Sequence, residues 1–358
     1  MKNYRIDELN ENFKQSFIIE SGTKYFDVKN EPSYIFGLPW FKSGKEFYRI
    51  PSERHKLLSA GVQQLSRHTS GVRLRFRTNS PTVTLKIKLL SGNDMSHMPR
   101  TGISGFDFYT GCAFNRKYVN TIMPAASGID EYTGEATISG DGMEEWLIYF
   151  PLYTGVNNLL LGIKEGCIIQ PARPYTVEKP VVFYGSSITQ GGCASRTGNS
   201  YANIISRWLD TDIFNLGFSG SAKGEIEIAE LINELDISAL VIDYDHNAPT
   251  VDYLRKTHEP FFKCIRKSKP TLPVIFISRP DFDKNTDENK VRKDIIYKTF
   301  INSVNSGDLN TYFIDGETLF GSKDRDSCTV DGCHPNDLGF MRMAEVICPV
   351  LKKALKIF

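Results

Sequence analysis

The sequence predicts an α/β protein of two domains, an all-β domain at residues 1–175 and a three-layer α/β/α domain at residues 176–358. Three observations favour this fold class. Short stretches that alternate between apolar and polar residues fill the first half, strand-like and helix-like stretches alternate in the second, and closely spaced prolines lie between the halves. A chain of 358 residues is also long enough for two domains.

The composition is that of an ordinary globular protein, with 41% hydrophobic and 24% charged residues. The formal net charge of +1 favours neither a nucleic-acid partner nor an anionic membrane. Seven cysteines in no regular spacing are typical of reduced thiols, and the first residues are too acidic for a signal peptide. We therefore expect a cytoplasmic protein, although a signal segment removed beforehand would leave no trace. The sequence leaves open whether the protein forms a homo-oligomer.

The first half predicts an antiparallel, jelly-roll-like β-sandwich. Residues 72–77 and 83–88 each alternate apolar with basic or polar side chains on either side of a turn at 79–81, which predicts a hairpin with one buried and one solvated face. Many short strands without convincing helices are typical of such sandwiches. The further strand candidates are residues 47–50, 105–109, 146–150 and 158–163.

The second half predicts a parallel sheet covered by helices on both faces. Pro171, Pro174 and Pro180 mark the boundary, because closely spaced prolines interrupt strand pairing. Strands and helices alternate beyond them, which is the pattern of a flavodoxin-like three-layer α/β/α domain. The predicted strands are 180–184, 212–216, 238–244, 273–278 and 311–314, and the predicted helices are 200–209, 225–235, 251–267, 288–304 and 338–355.

A serine at the end of the first parallel strand predicts a catalytic site. The apolar residues 181–184 are followed by Gly185 and two serines, so hydroxyls reach the carboxyl edge of the sheet, where such folds bind ligands. The second of them, Ser187, would need a general base that a third group orients. Asp331 and His334, three residues apart, can supply both. The simpler alternatives are that Ser187 caps a helix and that Asp331 and His334 form a structural pair.

Four short blocks resemble those of the SGNH (GDSL-like) hydrolase family, in the same order along the chain. They are residues 185–188 (GSSI), 215–220 (NLGFSG), 245–248 (DHNA), and Asp331 with His334. Residues 105–109 (GFDFY) are also similar to the Gly-x-Asp-Leu-Tyr signature of a β domain that precedes some members. Ser186, Asp245 and Ala248 depart from the residues that the family usually has there, which is typical of a divergent branch.

The resemblance implies an esterase with Ser187 as the nucleophile, His334 as its base and Asp331 as the group that orients His334. It also implies an oxyanion hole made by the backbone N–H groups of Ser187 and Gly220 and the side-chain amide of Asn247. Without the resemblance, Gly220 can simply serve a tight turn, and Asn247 can cap the segment that follows it.

Three further residues are candidates for binding the substrate. His246 and Arg279 follow the third and fourth predicted strands, at the edge that should face the substrate, and Trp40 is a candidate aromatic platform from the β domain. The alternatives are solvated loop positions for His246 and Arg279 and core packing for Trp40.

A metal site is an alternative interpretation of residues near the end of the chain. Cys328, Asp331, Cys333 and His334 are zinc-type ligands in a short span, but structural zinc usually needs a second spaced pair of ligands, and the sequence shows none. We expect no metal and no cofactor.

The leading functional hypothesis is a serine esterase that removes O-acetyl groups from carbohydrates, because the resemblance implies such substrates where a β-sandwich precedes the hydrolase domain. The expected partner is a small-molecule or oligosaccharide ester, with no nucleic acid and no membrane. The alternatives are a short-chain acyl esterase or lysophospholipase, and a carbohydrate-binding protein whose hydrolase site has decayed.

Overall fold

The computed structural model describes residues 17–92, 94–140, 142–281 and 283–357. The first 16 residues, which carry the argument against a signal peptide, lie outside these ranges. The described part confirms the predicted fold class, since two antiparallel sheets precede a parallel sheet flanked by helices. No helix within these ranges is long and apolar enough to cross a membrane.

The first half is a β-sandwich. Its strands and helices are β1 Phe17–Glu20, β2 Thr23–Asp27, β3 Ile35–Phe36, α1 Ala60–Leu65, β4 Arg73–Thr78, β5 Thr82–Leu89, α2 Arg100–Ile103, β6 Phe106–Thr110, β7 Lys117–Ile122, β8 Glu131–Thr137, β9 Glu144–Tyr149, β10 Val156–Lys164 and β11 Ile169–Pro171. One sheet has the strand order β1-β2-β10-β5-β8, and the other has β11-β4-β9-β6-β7, with β3 paired to β4. Phe76 and Trp146 of one sheet share a core with Leu85 and Leu161 of the other.

The predicted hairpin at residues 72–77 and 83–88 is wrong, although both strands exist. β4 pairs with β9, whereas β5 pairs with β8 and β10, so the turn between β4 and β5 crosses from one sheet to the other. Both strands have an apolar face because both sheets face the same core, and that pattern does not specify the sheet. The strand predicted at residues 47–50 is also absent, although Phe47 and Ile50 are buried.

The second half contains the predicted parallel sheet with its helices. The elements are β12 Val177–Gly185, α3 Ser187–Gln190, α4 Tyr201–Leu209, β13 Thr211–Gly217, α5 Ile226–Asn233, β14 Ala239–Asp243, α6 Val251–Ser268, β15 Val274–Ile277, α7 Thr286–Asn305, β16 Thr311–Ile314 and α8 Asp337–Leu355. The strand order is β13-β12-β14-β15-β16, and all the pairs are parallel. Every strand and helix predicted for this half is present to within a few residues at each end.

Strand β12 is buried on both faces of the sheet. Val181 and Phe183 contact the core beneath α4 and α8, whereas Val182 and Tyr184 contact the core beneath α5 and α6. Because side chains alternate between the faces of a strand, a fully apolar stretch fits such a position. The strand therefore delivers its carboxyl end from the middle of the molecule to one edge of the sheet.

The basic face of β4, predicted to meet water, is instead largely buried, and Arg73 on it packs against the second half of the chain. Arg73 is fully buried, pairs with Asp212 of β13 and donates a hydrogen bond to Tyr175 Oη at 2.9 Å. The guanidinium of Arg75 donates to Glu145 at 2.8 Å and lies 3.6 Å from the centre of the Tyr175 ring. Alternation along the strand was predicted correctly, but both arginines are buried and Arg73 lies at the interface between the domains.

Arg49 makes a second buried contact between the two halves. Its guanidinium donates to the carbonyl oxygens of Asn215 at 2.9 Å and Gly217 at 2.7 Å, at the end of β13, and to those of Leu65 and His68 in its own domain. Burial lowers the pKa of Arg49 to about 9. The hydrogen bonds therefore hold a buried cation against the carboxyl end of the second sheet.

We predict that Arg73→Met lowers the free energy of unfolding by about 3–5 kcal/mol, because it leaves Asp212 unpaired in a largely buried position. Urea unfolding at neutral pH measures the change. Adding Asp212→Asn to Arg73→Met should recover part of the loss, and Arg77→Met, at a more exposed position of the same strand, should stay within about 0.5 kcal/mol of the wild type. Equal losses for Arg73→Met and Arg77→Met would contradict the interface that we describe.

Candidate active site

Ser187 lies just beyond the carboxyl end of β12. The strand ends at Gly185, where a Cβ atom would lie 2.4 Å from the carbonyl oxygen of Asp243 on β14, so a side chain there would clash with backbone. Ser186 then caps helix α3 by accepting a hydrogen bond from the Ile188 N–H at 3.2 Å. The helix cap is therefore Ser186, and Ser187 is the first helical residue, whose N–H has no acceptor within the helix.

Ser187, His334 and Asp331 form a continuous hydrogen-bonded chain. Ser187 Oγ lies 2.9 Å from His334 Nε2, and His334 Nδ1 lies 2.7 Å from Asp331 Oδ2. The other carboxylate oxygen of Asp331 accepts the backbone N–H groups of His334 at 2.7 Å and Cys333 at 2.9 Å. The structure thus brings together the three residues that the sequence predicted as a triad.

The surroundings of Asp331 favour its ionised form. Burial raises its pKa, but hydrogen bonds from the His334 side chain and from two backbone N–H groups outweigh burial and lower the pKa to about 2. The carboxylate is therefore ionised at neutral pH and accepts the Nδ1–H of His334. This leaves Nε2 as the nitrogen that can accept the proton of Ser187.

Gly220 and Asn247 contact each other. The Gly220 N–H donates to Asn247 Oδ1 at 3.1 Å, and Asn247 Nδ2 donates to the carbonyl oxygen of Phe218 at 2.9 Å. The Phe218 N–H in turn donates to the carbonyl oxygen of Gly185 at 2.9 Å, which ties this loop to the end of β12. Gly220 has a φ of +64°, so its use in a tight turn is compatible with a role in the site.

A buried arginine of α7 holds the turn that carries Asn247. Arg292 donates to the carbonyl oxygens of Asp245 and Ala248, and also to the Asp245 carboxylate, each at 3.2 Å. The Asp245 carboxylate also accepts a hydrogen bond from the backbone N–H of Arg279 at 3.2 Å. The departure from the family at Asp245 therefore has a structural use. The sequence analysis missed Arg292, since an arginine in an ordinary helical pattern gives no local signal.

His246 and Arg279 are both held by internal contacts. His246 Nε2 lies 2.7 Å from Asp281 Oδ1. Burial lowers the pKa of His246, but the neighbouring Asp281 and Cys333 side chains outweigh it and raise the pKa to about 10. Arg279 donates to Asn289 Oδ1 at 3.1 Å. His246 thus lies beside the loop of the triad.

Trp40 lies apart from the triad. It lines a cavity of about 380 Å³ together with Phe41, Tyr48 and Pro51, and no triad residue lines that cavity. Its ring also packs against the apolar core of the second domain. The structure therefore does not bring Trp40 to Ser187.

The first domain contributes His97 to the wall of the site, which the sequence analysis missed. The exposed ring of His97 lies 6.0 Å from that of His334, centre to centre, with the planes tilted by 46°. The segment is anchored, because Met98 is buried in the core of the second domain and Thr101 donates a hydrogen bond to the Ser195 carbonyl oxygen. A single histidine in a loop of another domain carried no recognisable pattern.

Asp243, at the end of β14, is a buried carboxylate below the site. Thr189 and Tyr201 each donate to its Oδ2 at 3.1 Å, and its Oδ1 has no hydrogen-bond partner within the described ranges. Burial raises the pKa of Asp243 to about 7. The hydroxyl of Thr189 links this carboxylate to the helix that begins at Ser187.

One group of three potential metal ligands occurs in the part of the chain that the structure describes: His246, Asp281 and Cys333. The four candidates Cys328, Asp331, Cys333 and His334 do not form such a group within these residues. Cys328 is buried, and its Sγ lies 3.8 Å from the carbonyl oxygen of Phe320.

Comparison with known families matches both halves of the chain. Residues 178–352 match the model of the GDSL-like lipase/acylhydrolase family, and residues 23–169 match the GxDLY model, described as the N-terminus of SGNH-hydrolase-type esterases. A search among curated proteins finds no match.

Several solved structures share the fold over nearly the whole chain. A protein from Bacteroides ovatus described as a GDSL-like lipase is 28% identical, with a TM-score of 0.84 over 94% of this chain and 99% of that one. A salicylyl-acyltransferase of a tetracycline biosynthetic pathway is 17% identical, with a TM-score of 0.71 over 96% and 93% of the two chains. An acetyl xylan esterase from Butyrivibrio proteoclasticus is 14% identical, with a TM-score of 0.59 over 94% and 100%.

We predict that the free energy of unfolding of the Asp243→Asn variant increases relative to that of the wild type as the pH rises. The folded-state pKa is about 7 and the unfolded value is about 4, so between these values the folded state binds more protons. Stability from this group therefore falls as the pH rises from about 4 to 7, and asparagine avoids the fall.

Urea unfolding at pH 4, 5.5, 7 and 8 should show the difference between Asp243→Asn and wild type growing by roughly 1–4 kcal/mol and levelling off above pH 7. Asp236→Asn, at an exposed position, is the control and should show no such growth. If the difference between Asp243→Asn and wild type does not change with pH, burial does not raise the pKa of Asp243, and the prediction is wrong.

Proposed function

Because the chain belongs to the GDSL-like lipase/acylhydrolase family, in the form that carries a GxDLY-type N-terminal domain, we propose that it is a serine esterase with Ser187 as its nucleophile. The family match supports acyl ester hydrolysis. The observation that carries the proposal is the continuous chain from Ser187 through His334 to Asp331, with distances of 2.9 and 2.7 Å.

In the proposed reaction, His334 Nε2 accepts the hydroxyl proton while Ser187 Oγ attacks the ester carbonyl. Asp331 stabilises the imidazolium that forms, and His334 then gives the proton to the leaving alcohol. A water molecule, activated by His334 in the same way, hydrolyses the acyl-enzyme and releases the acid.

The oxyanion of the tetrahedral intermediate would be held by N–H groups around Ser187. The Ser187 N–H is one donor, since the helix offers it no acceptor. Asn247 Nδ2 is the second, because an amide has two hydrogens and one of them is bound to Phe218. The Gly220 N–H already donates to Asn247 Oδ1, so it orients that amide and can reach an oxyanion only through a shared hydrogen bond. Removing one such donor typically lowers the turnover by about 10²–10³-fold.

We further propose that the substrate is an O-acetylated carbohydrate. The fold is shared with an acetyl xylan esterase over nearly the whole chain, which supports this class. The first domain reaches the triad through His97, so a substrate larger than an acyl group would contact both domains. The likeness to a protein described as a GDSL-like lipase keeps the short-chain or lipid esterase as the second candidate. The cytoplasmic location and the absence of nucleic-acid and membrane partners stay predictions.

Ser187→Ala should lower the turnover of nitrophenyl acetate by about 10⁴-fold or more, because the nucleophile is lost while the fold is kept. Ser219→Ala is the matched control at the same edge of the sheet and should keep most of the activity. Wild-type rates on nitrophenyl acetate, butyrate and octanoate, beside acetate release from acetylated oligosaccharides, test the substrate class. A steep fall beyond acetate supports the deacetylase, whereas high rates on octanoate favour the lipid esterase. No turnover of any ester would overturn the esterase proposal.

His97→Ala should lower kcat/KM on an acetylated oligosaccharide by about 2- to 10-fold, because a ring contact with the sugar is lost. The rate on nitrophenyl acetate should change by less than about twofold, since His97 forms no part of the hydrogen-bonded chain. Phe114→Ala, another exposed aromatic of the first domain, is the control. Equal losses on both substrates would show that His97 acts on the triad and not on the carbohydrate.

A further inference from the structure

We propose that His246, Asp281 and Cys333 form a binding site for a borderline-soft divalent cation of the Zn²⁺ type, which ties the loop of the triad to the edge of the sheet. One donor atom from each of these residues lies within 4.8 Å of the others. They belong to three separate segments, which follow β14, follow β15 and precede α8. The site does not depend on the proposed ester hydrolysis.

The donor set matches the chemistry of zinc. An imidazole nitrogen, a thiolate and a carboxylate oxygen are the three ligand types that Zn²⁺ takes from proteins, and three of them leave a fourth position for water. Metal–ligand bonds of about 2.0–2.3 Å place the ligand atoms of a tetrahedral site roughly 3.3–3.7 Å apart. His246 Nε2 and Asp281 Oδ1 lie 2.7 Å apart, bridged by a hydrogen. The contact has to open by no more than about 1 Å when an ion replaces protons at the site.

The imidazole of His246 has an unused nitrogen. Its side chain is only 8% exposed, and Nδ1 has no hydrogen-bond partner in the described part of the chain. A buried polar atom without a partner is uncommon and costly. The ring is therefore not fully satisfied by the protein contacts around it, and Nε2, beside Asp281 Oδ1, is the nitrogen that a shared ion would bind.

The charges around the cluster suit a dication. With a cation bound, Cys333 is a thiolate and Asp281 a carboxylate, which together supply two negative charges. Asp245, on the same segment as His246, is paired with Arg292, and its charge is therefore balanced. Arg279 lies with its Nε 4.0 Å from Asp281 and 3.6 Å from Asp245. The single charge of Arg279 does not cancel the two negative charges of Asp281 and the Cys333 thiolate.

An ion at this position would act on the triad through Cys333. That residue lies between Asp331 and His334, and its backbone N–H donates to Asp331 Oδ1 at 2.9 Å. Asp331 is the most exposed member of the triad, and its loop contains Gly332 with a φ of +80°. A metal bridge from Cys333 to His246 and Asp281 would fasten this loop to the ends of β14 and β15.

Cobalt(II) binding to the metal-free full-length protein tests the site without an activity assay. We expect one equivalent of Co²⁺ to produce a thiolate-to-cobalt charge-transfer band in the near ultraviolet. We also expect excess Zn²⁺ to raise the midpoint of thermal unfolding by about 3–8 °C. Cys333→Ser should abolish the band and most of the thermal shift, while the control Cys167→Ser should keep both.

Cys333→Ser is the decisive variant because it keeps the backbone N–H that contacts Asp331 and changes little volume. His246→Gln is the second variant and should weaken Co²⁺ binding at least about tenfold. The absence of a charge-transfer band in the wild type would overturn the proposal and leave His246 and Asp281 as a simple buried pair. A band, or a thermal shift, that persists unchanged in Cys333→Ser would overturn it as well.

Discussion

The close approach of β12 and β14 at Gly185 is the constraint on which the candidate site depends. With no side chain at Gly185, the carbonyl oxygen of Asp243 comes near enough to accept the Ser186 N–H at 3.1 Å. Gly217 does the same on the other side, because a Cβ atom there would lie 2.2 Å from the Gln190 nitrogen. The turn that carries Ser187 is therefore wedged between two strand ends, and its position is set by backbone rather than by side-chain packing. The position of the Ser187 hydroxyl is thus fixed, and the loop that carries Asp331 and His334 packs next to it.

The interface between the domains decides what else surrounds that hydroxyl. Two buried arginines stabilise this interface. Arg73 forms an ion pair with Asp212, and Arg49 donates hydrogen bonds to carbonyl oxygens at the end of β13. A buried charge left without its partner is costly, so such contacts allow few alternative arrangements of the two domains. This interface places the segment of His97 and Met98 beside His334. The first domain is thus part of the candidate site and not only a support for the second domain.

The prediction of the second domain succeeded and that of the first succeeded only in part, for a physical reason. Strands of a central parallel sheet are buried on both faces and alternate with amphipathic helices, so the pattern along the chain specifies the fold. In the sandwich, the apolar faces of β4 and β5 are alike although the strands lie in different sheets. The alternation at Arg73 and Arg75 showed which face was polar, but water and a second domain are equally compatible with a polar face.

The sequence by itself determined the α/β class, the succession of strands and helices along the second half, and the choice of Ser187, Asp331 and His334 as candidates, because local periodicity and short motifs carry this information directly. Only the tertiary structure decided that Arg292 supports the turn of Asn247, that His97 borders the triad, and that His246, Asp281 and Cys333 converge. These contacts join residues far apart in the chain. They arise from the way that sheet edges and domain faces meet, which no local pattern records.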